Sequence, residues 1–142
     1  MNASPYFSIC CYRVVTERTH TGASSVKASV EARIGSDGVR RSATGVGPVH
    51  ALDQALRSCL RRHFPELDGM RLVDYSVSVL DAHPGTAAQV RVVISFADED
   101  GTWDTGYVSE NIIDASMEAL CSGAVVGIMR IRAPRRQEAV VG

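Results

Sequence analysis

The chain writes one plan twice: alternating strands, a glycine-containing corner, then an amphipathic helix. The first corner reads Gly45-Val46-Gly47-Pro48-Val49-His50-Ala51-Leu52. The second reads Trp103-Asp104-Thr105-Gly106-Tyr107-Val108-Ser109-Glu110-Asn111-Ile112-Ile113-Asp114-Ala115-Ser116. Doubling constrains the fold strongly, because each copy must bury the same faces of the same elements. It predicts internal pseudo-two-fold symmetry and a ligand site where the two corners meet.

Periodicity sets the elements. Tyr6 to about Glu17 is rich in β-branched and aromatic residues, as strands are. Val26, Ala28, Val30, Ala32 and Ile34 alternate strictly with Lys27, Ser29, Glu31 and Arg33, the pattern of a half-buried antiparallel strand. Gly35 to Gly38 turns the chain, and Val39 to Thr44 returns. Pro48 suits a first helical turn. Val49, Leu52, Leu56, Cys59, Leu60 and His63 then follow helical spacing, with Asp53, Arg57, Arg61 and Arg62 on the other face. Pro65 stops the helix.

The second copy begins near Met70. Val73, Tyr75, Val77 and Val79 form a strand, and His83-Pro84-Gly85 breaks it. Val90, Val92, Ile94 and Phe96 form the next, followed by a solvated acidic turn at Asp98-Glu99-Asp100 and a return strand from Thr102 to Val108. Ser109 reads as the N-cap of the last helix. Ile113, Met117, Leu120, Ala124 and Ile128 make its buried stripe, and Gly123 and Gly127 let another element approach closely. The expected fold is α+β: two βββα units of about 6–64 and 70–130, antiparallel sheets covered by helices, in one domain, 1–142. The tail, 132–142, reads as flexible.

Composition narrows the function. A net charge of −1 supplies no field for nucleic acid or an anionic membrane. No stretch reads as the roughly 20 apolar residues that span a bilayer, and no secretory signal opens the chain, so the expected location is cytoplasmic. Cys10, Cys11, Cys59 and Cys121 lack metal-site spacing and read as buried thiols, with Cys10 and Cys11 on opposite sides of a strand. His20, His63 and His83 are scattered without a readable partner. No metal and no cofactor is expected.

The G-x-G-P-V corner, Asp74-Tyr75, Trp103, and the run from Val108-Ser109 through Asn111-Ile112-Ile113-Asp114-Ala115-Ser116 to Ala119-Leu120 resemble the C-terminal regulatory domain of alpha-isopropylmalate synthase. Citramalate synthase carries the same domain. The resemblance runs from about Val26 to Met129. It implies a homodimer that binds a feedback inhibitor, leucine or isoleucine, near the dimer interface, while catalysis belongs to a separate metal-dependent barrel. No His-x-His occurs here, and 142 residues cannot build that barrel.

Carried over position by position, the resemblance implies a ligand site of Gly47, Val49, His50, Leu72, Tyr75, Val79, Tyr107, Val108 and Ser109. Two positions depart from the family pattern: His50 follows Gly-Pro-Val, and Tyr107 stands where the family has glycine. The leading expectation is therefore a stand-alone small-molecule-binding dimer, acting on a separate biosynthetic enzyme. The alternative is a repurposed enzyme, a cyclase or isomerase of a secondary-metabolite pathway, with His50, Tyr107 and Tyr75 as acid–base groups. The third is a purely structural dimerisation module. The plain alternatives for these residues are a helix-start histidine and two packing tyrosines. Gly45-x-Gly47-Pro48 also suits a carboxylate-binding corner, since helix starts present free amides.

Overall fold

The computed structural model describes residues 4–80 and 88–141, with side chains through Arg132. His83 and its turn lie outside the described residues. Two compact units follow one another, Met1–Pro65 and Glu66–Gly142. The first contains β1 (Ser8–Arg18), β2 (Ser24–Ile34), β3 (Asp37–Gly45) and α1 (Pro48–Leu60). The second contains β4 (Arg71–Leu80), β5 (Gln89–Asp98), β6 (Gly101–Ser109) and α2 (Ile112–Val141). Each sheet is antiparallel, ordered β1-β2-β3 and β4-β5-β6. This is the expected βββα plan, twice, in an α+β fold. A short 3-10 turn, Pro65–Gly69, which periodicity does not show, precedes β4.

The registers match between the copies. Ala32 pairs with Val39 as Phe96 pairs with Trp103, and Val26 pairs with Gly45 as Val90 pairs with Ser109. At some paired positions the two units nevertheless fill the same layer in opposite ways. In the first, small sheet residues (Ala28, Ala32) lie under large helix residues, Leu52, Leu56 and Leu60, all buried. In the second, Ile94 and Phe96 are the large partners, and α2 answers with Ala119, Gly123 and Ala124. Each fully buried leucine, isoleucine or phenylalanine contributes about 1.5–3 kcal/mol. Close packing requires the volumes to sum correctly, wherever they are placed.

One irregularity is also repeated. The β1–β2 register shifts between Ile9 and Cys11, and the β4–β5 register shifts between Leu72 and Asp74. A bulge therefore sits near the start of each first strand, leaving two residues opposite one. In β1 those residues are Cys10 and Cys11, facing Glu31. Both thiols are exposed, and the Cys11 Sγ lies 3.9 Å from the Glu31 carboxylate, while Cys10 lines a shallow groove with Glu31 and Arg33. The expectation that Cys10 and Cys11 are buried thiols facing opposite sides of a regular strand fails here, because the extra residue breaks the alternation. Cys59 and Cys121 are buried as expected, and burial pushes both thiols up from their ordinary range. Iodoacetamide should thus alkylate Cys10 and Cys11 in the native protein, and Cys59 and Cys121 only in denaturant. Native labelling of Cys121, read by mass spectrometry, would contradict this packing.

Other readings are corrected by tertiary contacts. Asp53 is buried rather than on the wet face, held 3.0 Å from Arg57. His63 has a partner, Asp37, at 3.1 Å. Asp98 is not merely a solvated turn residue: Arg130 grips both its oxygens at 3.2 Å, and that hydrogen bonding holds the carboxyl below its usual range. α2 runs on to Val141. Contrary to the expectation of no spanning stretch, Ile112–Arg132 is long and apolar enough to cross a bilayer, with mean hydropathy 1.6. Just over half of that window, 56%, is buried inside the fold, so its apolar side is a core face.

Candidate functional site

The first corner is built by close approach. Gly45 ends β3 where the start of α1 passes overhead. A Cβ at Gly45 would stand 2.6 Å from the Ala51 nitrogen and 2.9 Å from both the Ala51 Cα and the His50 Nδ1. Gly47 caps the helix in an extended conformation and its carbonyl accepts the Ala51 N–H at 3.0 Å. Pro48 follows at the first helical position, where a missing N–H costs nothing. Val49 is half-buried and His50 exposed.

His50 folds back on this corner. Its Nδ1 accepts the Val46 N–H at 3.1 Å, which in a neutral ring places the proton on Nε2. Nε2 faces the Gln54 side-chain amide at 3.4 Å. To act as a general base through Nδ1, the ring would first have to release the backbone of its own loop.

The second corner is capped differently. Asn111, not Ser109, is the N-cap: its Oδ1 accepts the Ile113 N–H at 2.8 Å and the Asp114 N–H at 3.1 Å. Ser109 stands two residues earlier, its hydroxyl accepting the Asn111 N–H at 3.1 Å. The Ser-x-Asn spacing carries both options, and only the backbone path distinguishes them.

Three polar side chains pin this sheet to α2. Thr105 donates to the Ala119 carbonyl at 2.7 Å, and the Trp103 indole to the Gly123 carbonyl at 3.1 Å. Ser116 donates to the Ile112 carbonyl at 2.7 Å, so the Tyr75 phenol, 3.3 Å away, is the donor to Ser116. Tyr75 is therefore a tether between strand and helix.

Tyr107 is different. It pairs with Val92, which in turn pairs with Val77, and the next row on that face holds Ser109, Val90 and Val79. Tyr107 is 46% exposed and Val79 65%, with Val77 and Ile112 also open. Together they form an apolar, half-open area at one end of the sheet face that α2 covers elsewhere. Val77 and Ile112 are absent from the residues carried over by resemblance, although strand alternation puts Val77 between Tyr75 and Val79. Val108 points to the opposite face, beside Arg91. Leu72 pairs with Phe96 near the far end of β4, roughly 20 Å from Val79 by strand rise. The sequence-chosen residues of the second unit thus separate: Tyr75, Val79, Tyr107 and Ser109 share one face and one end, whereas Leu72 and Val108 do not join them. Among the described residues, no three metal-binding side chains gather.

The comparisons with known proteins agree with this architecture. A family model described as the LeuA allosteric (dimerisation) domain matches residues 2–126. The (R)-citramalate synthase of Geobacter sulfurreducens is 41% identical over 116 residues, covering 81% of this chain and 22% of that protein. The (R)-citramalate synthase of Streptomyces coelicolor is 38% identical over 125 residues, covering 88% and 23%. That of Synechocystis is 40% identical over 101 residues, covering 71% and 18%. The chain therefore spans about a fifth of the length of these relatives. With a twofold βββα plan, the two glycine- and asparagine-capped corners and a match across most of its length, the chain belongs to the LeuA allosteric (dimerisation) domain family.

Proposed function

We propose that this chain is an effector-binding, dimer-forming regulatory domain that acts on a biosynthetic enzyme in the cytoplasm. The observation that carries the reading is the family match over residues 2–126, taken with the half-open apolar area of Tyr107, Val77, Val79 and Ile112. Such an area suits the side chain of a small apolar amino acid, or the same surface of a second copy, because exposed apolar groups gain by being covered. The Tyr107 phenol and the Ser109 hydroxyl supply polar groups for an amino acid's charged end. Tyr107 adds bulk where the resemblance implies glycine, so the accepted effector should be smaller than, or shaped differently from, leucine.

Thermal-shift titration of the full chain with leucine, isoleucine, valine and small hydroxy acids tests this. A ligand at about 100 times its Kd adds roughly 2.7 kcal/mol to stability. A saturable rise with one of them, lost in Tyr107→Ala, is expected, together with a dimer in sedimentation analysis. No rise with any of these compounds, in a chain that sediments as a monomer, would sink the proposal.

A further inference from the structure

The repeat makes one difference between the units informative. In the second unit the space between the β5–β6 hairpin and the later turns of the covering helix is filled by Trp103. Its ring stacks on Phe96 at 5.9 Å, and the Arg130 guanidinium sits over it at 4.7 Å, tied to Asp98. Beside the indole, between the turn at 66–70 and the hairpin, lies a cleft of about 310 Å³ with acidic walls of Glu66, Asp98, Glu99 and Asp100.

At the same place in the first unit the registers put Val39 where the second has Trp103. No indole stands there, and the cleft is about 550 Å³. Its walls carry Arg41 from β3, with Ser58, Arg62 and His63 from α1 and the turn after it. Among the described residues neither Arg41 nor Arg62 has a carboxylate partner; the Arg41 side chain donates to the neighbouring Arg40 carbonyl at 2.9 Å. Asp37, the one acidic residue of the lining, is engaged by the His63 Nε2. The other ring nitrogen, Nδ1, is buried with no hydrogen-bond partner among the described residues. Cys59 lies on the floor, and because burial keeps its thiol protonated it adds no negative charge.

We propose that this cleft of the first unit is a binding site for a small oxyanion, a phosphate or carboxylate group, held by Arg41 and Arg62 with Ser58. Guanidinium forks fit both carboxylate and phosphate oxygens, and two of them facing one space favour a ligand with two or more oxygens. The site is separate from the effector reading above and stands or falls without it.

Titration of the full chain with inorganic phosphate and with succinate, against sodium chloride at matched ionic strength, tests the proposal by thermal shift and amide chemical shifts. A saturable response to either probe is expected, with shifts centred on Arg41, Ser58 and Arg62. Phosphate alone would identify a tetrahedral oxyanion site, and succinate alone a carboxylate site. Arg41→Gln and Arg62→Gln should each weaken binding by about tenfold, the loss of one charge-assisted contact. Both side chains are exposed, so these variants keep the fold. Val39→Trp, which copies the filled cleft, should abolish binding. No response above chloride, or a response undiminished in both arginine variants, would overturn the site.

Discussion

Phe96→Ala should destabilise the protein by about 3–5 kcal/mol, the range for truncating a fully buried aromatic. Phe96 is wholly buried, stacks with Trp103 and packs directly on Gly123. Losing it removes both the largest fully buried side chain and the surface on which α2 rests. The same contact makes a sharper test possible. Alanine is about 1 kcal/mol better than glycine in a helix interior, so Gly123→Ala would ordinarily stabilise. Here a Cβ would overlap the Phe96 ring, and overpacking of that kind costs about 1–3 kcal/mol. Gly123→Ala should therefore lower the urea midpoint. Phe96→Leu in the same chain should recover part of the loss, giving a coupling of about 0.5–3 kcal/mol in a double-mutant cycle. A Gly123→Ala variant more stable than the parent would show that the ring is not fixed against the helix.

Gly45→Ala should cost about 2–3 kcal/mol, although it adds one methyl at the end of a strand. The atoms it would strike are mainly backbone, the Ala51 nitrogen and Cα, and these cannot swing aside as a long side chain can. The helix start would have to lift from the strand, breaking the contact between His50 and the Val46 N–H. Amide exchange at Val46 should accelerate in the variant. Gly47 provides the control. Nothing lies within 4 Å of where a Cβ would stand on Gly47, and its backbone is extended, so Gly47→Ser should change stability by no more than about 0.5 kcal/mol. Equal losses at both glycines, read from denaturant curves, would show that the corner is set by backbone freedom and not by close approach.

Both experiments concern features partly legible in the sequence. Helical spacing marks Gly123 as a place of close approach, and Gly45 belongs to the corner motif. Neither pattern names the opposing atom, since Phe96 and Ala51 reach those glycines only through the fold. The candidate site is less legible. Resemblance brings Tyr107 and Val79 together, which strand pairing supports, but it also brings Leu72 and Val108, which register and alternation place elsewhere. Asn111 is hidden beside Ser109 because either side chain can cap, and only the chain's path chooses.

By itself the sequence determined the element order, the two copies and the buried faces of β2, β5 and both helices. Those features follow from local periodicity, and burial of an apolar stripe leaves few alternatives. Tertiary structure alone decided the twin bulges, the first of which exposes Cys10 and Cys11, and the exchange of large and small residues between sheet and helix. It also decided that Val39, standing where the second unit has Trp103, lines an open cleft. Each of these depends on residues far apart in the chain meeting at one place, and periodicity carries no record of what stands opposite.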